Sequence, residues 1–470
     1  FGPEINAYTS FDETVYMLQV PTDDQEIMAT AFQILEDWAH LISLDGEEID
    51  KERGVVVEEW RLGRGANARM QDQQFPILFR GSRYADRLPI GKRETLETFS
   101  HDALTRFYQD WYRPDLMAVI AVGDFDATWV EATIREHFSR VPARDDPRPR
   151  PIYEVPTHTE TLFAIASDVE ATSSQVALLY KQSLGEEGTL AAYRQDLVEG
   201  LYNGILNNRL FELTQQTDPP FAFGGSGQGR LVRSGEIYQL VAMVPEGGIT
   251  RGMEALLTEA ERVARHGVTS TELERQKADL LRAMELAYAE RENQESGTFA
   301  AEYLRHFLEG ESIPGIEFEF RAVQTLLPTI TLEDVNNVAR ASMVDRNRVV
   351  LVNSPEKDGL AIPDEAELSA VFQGVVGAEI APYEDAATDE PLLGATPTPS
   401  SVAEESSIPE LGVTEWTLEN GVRVLIKPTD FKDDEVVFQA YSPGGFSLSS
   451  VEDHMSASNA AQVVSLGGVG

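Results

Sequence analysis

The 470-residue sequence contains no cysteine. Disulfides, thiolate metal sites and a cysteine nucleophile are therefore excluded. Positive charge is also scarce, because 38 Lys and Arg stand against 79 Asp and Glu and give a formal net charge of −41. A charge of this sign repels phosphate backbones and anionic lipid surfaces, so we expect no nucleic-acid partner. No apolar run approaches the roughly 20 residues of a membrane span, so we expect no such span.

The chain does have enough apolar residues for folded domains, since 42% of its residues are hydrophobic. At roughly 100–200 residues per domain, its length allows about two to four domains. It starts at Phe1 without an initiator Met or a leader-like segment, and it stops at Gly470 after a glycine-rich stretch. We expect both ends to be cuts, so that the chain is an interior piece of a longer polypeptide.

Changes in composition divide the chain into four predicted segments. A stretch rich in Pro and charged residues, Pro142 to Pro151, separates two αβ domains. Five prolines and many acidic residues between Ala381 and Pro409 predict a flexible or extended connection. Two strands around Asn420–Gly421 form a predicted hairpin that belongs to another domain. The predicted segments are a first domain (1–150), a second domain of the same fold (151–375), a Pro/acid-rich linker (376–410) and the start of a third domain (411–470).

An internal repeat supports two copies of one αβ fold. A capped helix from Ser100 and a buried strand at 117–122 are followed, 231 residues later, by a capped helix from Thr331 and a strand at 349–352. Chance similarity of a common pattern is the alternative. The other predicted elements are a strand at 14–20, a helix at 24–40 and a helix from 46 to about 63 capped by Asp45.

Two glutamates on the third of these elements are candidates for chemistry. At roughly 100° per residue, Ile49, Val56 and Trp60 share one stripe of the helix. Glu52 and Glu59 fall together beside that stripe and are predicted to face inward, whereas Glu58 faces solvent. A buried carboxylate needs a cation, a metal or strong hydrogen-bond donors. A salt-bridged pair and a metal or catalytic role are both open.

The stretch Asn6-Ala-Tyr-Thr-Ser10 precedes the first predicted strand. Small and polar residues at this place are typical of an edge strand, whose free backbone groups can pair with an extended peptide. A plain turn is the alternative. His306 begins only half of an H-x-x-E-H zinc motif, because Gly310 stands where the second His is needed, so we interpret His306 as structural.

Six stretches, taken in order, carry a family resemblance: Asn6-Ala-Tyr-Thr-Ser10, Thr14-Val-Tyr16, Glu52-Arg-Gly-Val-Val-Val-Glu-Glu59, Leu88-Pro-Ile-Gly91, Phe107-Tyr-x-x-x-Tyr112-Arg-Pro114 and Val122-Gly-Asp124. The set resembles the pitrilysin/insulinase family of zinc peptidases, and fits best its long bacterial members, which have two halves joined by a linker. The resemblance covers residues 1 to about 375 and, as the start of the second half, 411–470.

The resemblance implies an α+β fold of repeated αβ domains, each an antiparallel-rich sheet flanked by helices, in a clamshell that closes around a peptide substrate. It implies a Zn²⁺ cofactor, with Glu59 as the distal metal ligand and Glu52 as a supporting carboxylate. Asn6 and Ala7 would lie on the edge strand that pairs with the substrate backbone. The remaining half of the same polypeptide would be the partner. By analogy the location is periplasmic or otherwise exported, with the cytoplasm as the alternative.

The sequence departs from the family at one decisive motif. The H-x-x-E-H that supplies two His ligands and the general base is not in these 470 residues; family spacing places it roughly 75 residues before Glu59. The stretch Val451–Ala457 of the third domain also lacks it, as a non-catalytic half would. We therefore expect a zinc-dependent endopeptidase or oligopeptidase as the full-length protein and an inactive piece here.

Two other hypotheses stay open. The protein is a catalytically inactive homologue that acts as a binding or assembly subunit, or it is an unrelated acidic αβ scaffold. The last of these predicts that Glu52 and Glu59 pair with Arg or Lys and that no open cleft adjoins them.

Overall fold

The computed structural model describes residues 5–385, 397–432 and 435–467. The chain forms two compact units, each described by itself. The first unit comprises Phe1–Arg282 and Gln294–Tyr383, and the second comprises Ala283–Asn293 and Glu384–Gly470. Within the first unit we call residues 5–141 the N-terminal region and residues 162–282 and 294–377 the sheet region. The helix at Ser270–Ala289 runs on from the sheet region into the second unit. No helix in the described ranges is both long and apolar enough to cross a bilayer.

The N-terminal region consists of a two-stranded hairpin followed by helices. Strands β1 and β2 pair antiparallel, with Ala7 opposite Tyr16. Helix α1 continues through a π-helical turn at Asp37–Leu41. The elements are β1 (Ile5–Thr9), β2 (Thr14–Leu18), α1 (Gln25–Glu36), α2 (Gly46–Leu62), α3 (Ala66–Leu78), α4 (Arg93–Thr98), α5 (His101–Trp111) and α6 (Ala127–Phe138), with short 3₁₀ turns at Arg83–Asp86 and Pro114–Leu116.

The local predictions for this region are confirmed where capping and periodicity dictate structure. The predicted strand at 14–20 appears as β2, and the predicted helix at 24–40 appears as α1 with its π-helical extension. Asp45 caps α2, because its Oδ1 accepts hydrogen bonds from the N–H groups of Glu47 (2.9 Å) and Glu48 (3.4 Å). An aspartate at this position satisfies two of the free N–H groups that begin any helix.

The prediction of a strand at 117–122 is wrong. The backbone is extended at Met117, with φ −121° and ψ 141°, but no described strand pairs with this segment. A β-strand exists only through its ladder of hydrogen bonds to a neighbour, so extended backbone alone does not form one. The internal repeat therefore holds for the helices, α5 and α12, but only its second copy includes a strand.

The sheet region is built on a five-stranded mixed sheet in the order β3-β7-β4-β6-β5. Only β3 and β7 are parallel, and the other neighbours are antiparallel. Helices α7, α8 and α12 pack against one another, and α7 and α8 contact the sheet. The elements are β3 (Leu162–Asp168), β4 (Ser174–Gln182), α7 (Leu190–Thr214), β5 (Phe223–Val232), β6 (Gly235–Val244), α8 (Ile249–His266), α9 (Ser270–Ala289), α10 (Ser296–Glu309), α11 (Ile316–Leu326), α12 (Leu332–Ser342), β7 (Arg348–Pro355) and α13 (Glu365–Gly377), with 3₁₀ turns at Arg291–Asn293, in the second unit, and at Leu327–Thr329.

Helix α3 ties the N-terminal region to the sheet region. The buried Nε2 of Gln74 lies within hydrogen-bond distance of the carbonyl oxygens of Ala164 (3.1 Å) and Val352 (3.0 Å). Arg69 binds both carboxylate oxygens of Asp168, at 2.6 and 2.5 Å. The pKa of that carboxyl is lowered to about 2, chiefly by the hydrogen bond from Arg69. These bonds to β3 and β7 explain why the two regions form one compact unit.

The second unit contains a three-stranded antiparallel sheet in the order β10-β9-β8. The hairpin predicted at Asn420–Gly421 is confirmed, since Gly421 has φ +87° and its N–H bonds to the carbonyl of Leu418 at 2.8 Å. Strand β8 lies inside the segment predicted as a linker, because it pairs with β9; residues 386–396 of that segment lie outside the described residues. The elements are β8 (Val402–Ile408), β9 (Val413–Leu418), β10 (Arg423–Ile426) and α14 (His454–Gly467), with 3₁₀ turns at Pro409–Leu411 and Phe446–Leu448.

Candidate metal and peptide-binding site

Helix α2 carries both candidate carboxylates, and it presents them to solvent. Glu52 and Glu59 are exposed, so the expectation that they face inward is wrong. Val55 and Leu62 lie on the same side of the helix and are 58% and 75% exposed. The neighbouring stripe is confirmed as the inner one at Ile49, which is buried. Periodicity placed the carboxylates correctly on the helix but did not show that this side lacks a covering layer among the described residues.

The two carboxylates also lack partners, in contrast with their neighbours on the same helix. Glu48 pairs with Lys51, and Glu58 pairs with Arg61 at 2.8 Å. Across the described ranges, neither Glu52 nor Glu59 has a hydrogen bond or an ion pair from its side chain. This disagrees with a salt-bridged pair and with a scaffold in which Arg or Lys would neutralise them.

Either carboxylate could be a ligand of a zinc ion, but the two could not bind the same ion. Carboxylate oxygen is an accepted zinc ligand, and an unpaired carboxylate has no internal cation to give up. Seven residues of helix separate Glu52 and Glu59 by about 10 Å along the axis, so they cannot both bind one ion directly. In the described part of the chain, no group of three or more His, Asp or Glu could hold a metal. A zinc ion held by one of these carboxylates would therefore need its other ligands from elsewhere.

Strand β1 is an edge strand, as predicted. Asn6 and Ala7 lie opposite Met17 and Tyr16 of β2, and within the described ranges the other side of β1 has no neighbouring strand. A plain turn is excluded for these two residues. The N–H of Ala7 donates to the Oδ1 of Asn6 at 2.9 Å, so a side chain already satisfies one backbone donor of this strand.

An aromatic cluster holds the hairpin in place. The hydroxyls of Tyr16 and Tyr112 are hydrogen-bonded at 2.7 Å, and the ring of Tyr16 lies 5.2 Å from that of Trp38. Tyr108 adds a hydrogen bond to the carbonyl of Trp38 at 2.8 Å. Burial, helped by the hydrogen bond with Tyr112, raises the pKa of Tyr16. The i, i+4 spacing of Tyr108 and Tyr112 is the sequence signal for this support.

Comparison with known families decides what this arrangement belongs to. Residues 1–74 match the family model described as "Insulinase (Peptidase family M16)", and residues 98–280 match the one described as "Peptidase M16 inactive domain". The chain belongs to the pitrilysin/insulinase family. Its fold is the mixed αβ architecture that the family resemblance implied, with an antiparallel-rich sheet flanked by helices.

Relatives of this pitrilysin/insulinase chain are zinc proteases by name. A "Zinc protease PQQL-like" of Arabidopsis thaliana is 34% identical over 97% of this chain and 45% of the relative. A "Probable zinc protease PqqL" of Haemophilus influenzae is 25% identical over 100% of this chain and 51% of the relative. The chain thus spans about half the length of the curated relatives it matches.

Solved structures agree on the fold. The periplasmic protease PqqL from Escherichia coli superposes with a TM-score of 0.76 at 23% identity, over 91% of this chain and 47% of that one. The first half of the same protease gives a TM-score of 0.75 over 82% of both chains. At this identity the likeness shows the fold alone.

A separate charged cluster in the N-terminal region is centred on Glu36. This glutamate is 1% exposed, and its carboxylate lies 2.6 Å from Nδ1 of His137, 3.4 Å from Nε2 of His40 and 3.5 Å from Arg140. Burial alone would raise the pKa of Glu36, but the hydrogen bonds from His137 and His40 and the charge of Arg140 lower it overall. Sequence analysis missed this cluster, although the i, i+4 spacing of Glu36 and His40 was a usable signal.

Proposed function

We propose that the full-length protein is a zinc-dependent endopeptidase or oligopeptidase that hydrolyses unfolded peptides inside a closed chamber. The observation that supports this most is the pair of unpaired carboxylates on α2, in a chain whose family relatives are zinc proteases by name. The 470 residues lack the H-x-x-E-H motif. We therefore infer that this chain by itself does not cleave peptides and that the His ligands and the general base lie elsewhere in the polypeptide.

In this proposal Glu59 binds the metal and Glu52 supports the site as a neighbouring carboxylate. Bound zinc lowers the pKa of a coordinated water to about 7 and polarises a substrate carbonyl. The contribution of Glu59 is a carboxylate oxygen that pairs with no cation among the described residues. Glu52, about 10 Å away along the helix, is too far to share the ion and acts through hydrogen bonds.

The edge strand β1 supplies the peptide-binding surface. An extended peptide would add a third strand beside Asn6 and Ala7, with backbone hydrogen bonds giving affinity irrespective of sequence. The Asn6 side chain would have to release the N–H of Ala7 before a peptide carbonyl could accept it. The aromatic support beneath β2 keeps the hairpin in place during this exchange.

The remaining half of the same polypeptide is the proposed partner, since the chain spans about half of its curated relatives. An exported, periplasmic location is the proposed setting, with the cytoplasm as the alternative. The periplasmic PqqL of similar fold is what supports it.

The decisive experiment replaces Glu59 in the full-length protein. Glu59→Gln should lower the bound zinc well below one ion per chain and abolish cleavage of an unstructured peptide, because the amide is a much weaker ligand. Glu58→Gln is the matched control, since Glu58 is adjacent, pairs with Arg61 and faces solvent. Zinc content that stays unchanged in Glu59→Gln would contradict the assignment.

A catalytically inactive binding or assembly subunit is the second candidate. The match of residues 98–280 to a domain described as inactive favours it. The sequence of the full-length gene separates the two, because only an active enzyme needs the paired histidines. If they are absent, peptide binding without cleavage is the expected behaviour.

A further inference from the structure

Arg53 lies between Glu52 and Glu59 in the sequence, and its side chain faces the protein instead of solvent. Its side chain is 16% exposed, whereas Glu52 and Val55 beside it are exposed. The guanidinium donates to the carbonyl oxygens of Leu96 and Phe99, the latter at 3.0 Å. It also lies over the ring of Phe99, with 4.1 Å from the guanidinium carbon to the ring centroid.

These acceptors are the end of helix α4. The last carbonyls of a helix have no partners within it, so they attract cations and hydrogen-bond donors. Helix α4 has only six residues. One planar guanidinium binds two of its terminal carbonyls and stacks on the residue that caps it. A lysine has neither the fork nor the flat face that these contacts need.

A second contact from the same side of α2 holds the helix at its start. Asp50 accepts a hydrogen bond from Nε2 of His101 at 2.8 Å and lies 3.4 Å from Arg53. One turn earlier, a Cβ on Gly46 would come within 2.9 Å of the ring of His101. Arg53 and Asp50 therefore fasten one side of α2 to α4 and to the start of α5, and the missing side chain of Gly46 permits the close approach to His101.

The unpaired carboxylates depend on this attachment for their direction. Because Glu52 and Glu59 have no partners among the described residues, no contact of their own holds them, and the orientation of α2 decides from which side of the helix they project. Arg53 lies about 100° around the helix from Glu52 and about 120° from Glu59, at roughly 100° per residue. Rotation of α2 about its own axis would break the contacts of Arg53 and turn both carboxylates away together.

We propose that Arg53 is a positioning residue for the zinc site: its contacts with the end of α4 set the rotation of α2 and thereby aim Glu59 and Glu52. This inference rests on the proposed function. Arg53 touches neither substrate nor metal in this assignment and acts only through the helix that it holds.

The test compares Arg53→Ala and Arg53→Lys in the full-length zinc protein. In Arg53→Ala, the dissociation constant for zinc should rise on the order of tenfold, the scale seen when groups that orient metal ligands are removed. The visible absorption of the Co²⁺-substituted protein should change, and kcat for an unstructured peptide should fall with KM nearly constant. Arg53→Lys should recover only part of the zinc affinity.

Arg61→Ala is the matched control. Arg61 lies on the same helix and makes an exposed ion pair with Glu58 at 2.8 Å, so its removal should change neither zinc affinity nor the cobalt spectrum. Arg53→Ala with a lower unfolding temperature but unchanged zinc affinity and spectrum would overturn the inference, because that result describes a merely structural arginine. If Arg53→Ala does not fold, Arg53→Lys carries the test, and wild-type zinc affinity and spectrum there overturn the inference.

Glu59→Gln separates this inference from the proposed function. If Glu59→Gln keeps its zinc, the metal assignment fails and the role of Arg53 fails with it. If Glu59→Gln loses zinc while Arg53→Ala keeps wild-type affinity, the proposed function stands and only the positioning role is overturned.

Discussion

The N-terminal region and the sheet region contain similar helices and strands but bury their apolar side chains to different degrees. In the sheet region, Leu178, Leu240 and Val350 are all 0% exposed. In the N-terminal region the described strands number two, and Val119 is only half-buried. An open groove of about 500 Å³ there is lined in part by Val119 and Phe125. A full sheet gives helices a continuous surface to cover, and a lone hairpin does not.

The two regions also differ in how they pair their buried charged side chains. In the sheet region Arg209 and Glu272 form a buried pair, with N–O distances of 2.7 and 2.8 Å. In the N-terminal region Glu36 is surrounded by two histidines and by Arg140, which is 51% exposed. A single buried partner is harder to replace than one of several, because its loss leaves a charge with little compensation.

The largest expected effect comes from breaking the buried pair. Arg209→Ala should lower the free energy of unfolding by about 3–5 kcal/mol, since Glu272 would stay buried without its cation. Arg140→Ala, its counterpart in the N-terminal region, should cost less than about 1 kcal/mol because Glu36 keeps its histidine donors. Urea unfolding of the chain measures both, and equal losses would remove this contrast between the regions.

The two copies of the internal repeat offer a matched pair of smaller changes. Val350 and Val119 are equivalent positions 231 residues apart. Val350→Ala should cost about 2 kcal/mol, because it removes two fully buried methyl groups from the sheet. Val119→Ala should cost less than about 1 kcal/mol at its half-buried position. A loss at Val119 as large as that at Val350 would show that residues 117–122 are packed as tightly as a central strand.

A change of opposite sign, a gain in stability, is expected at Lys181, where the two regions meet. Its Nζ donates to the carbonyl of Leu78 at 3.2 Å, and burial, with the charge of Arg80, lowers its pKa to about 8. Below pH 8 Lys181 is protonated in both the folded and the unfolded chain, so burial of its charge lowers the free energy of unfolding by the full amount. Between pH 8 and about 10.4 only the unfolded chain keeps it, so stability rises with pH, and above that range the cost is gone.

Lys181→Met should therefore stabilise the chain by about 1–2 kcal/mol at pH 7, after the loss of one hydrogen bond. The gain over wild type should shrink between pH 8 and pH 10 in urea titrations. A gain that is independent of pH would show that the pKa of Lys181 is the same in the folded and the unfolded chain.

Sequence reasoning succeeded where a few neighbouring residues decide the outcome. Asp45 capped α2 as expected, Asn420–Gly421 formed a hairpin, and Asn6–Ala7 lies in an edge strand. It failed at 117–122, where an apolar β-rich stretch has no partner strand in the described part of the chain, and at Glu52 and Glu59, which are exposed instead of inward-facing. Those two outcomes depend on which other parts of the chain pack against these segments, and a local sequence pattern does not carry that information.

The amino-acid sequence by itself determined the family, the α+β class and the helical placement of two carboxylates seven residues apart. Only the tertiary structure decided that these carboxylates have no partner within the described ranges, that Arg53 fastens their helix to the end of α4, and that Glu36 contacts two histidines. The physical reason is that caps, turns and periodicity act over a few residues. Burial and charge pairing depend on residues that folding brings together from distant parts of the chain.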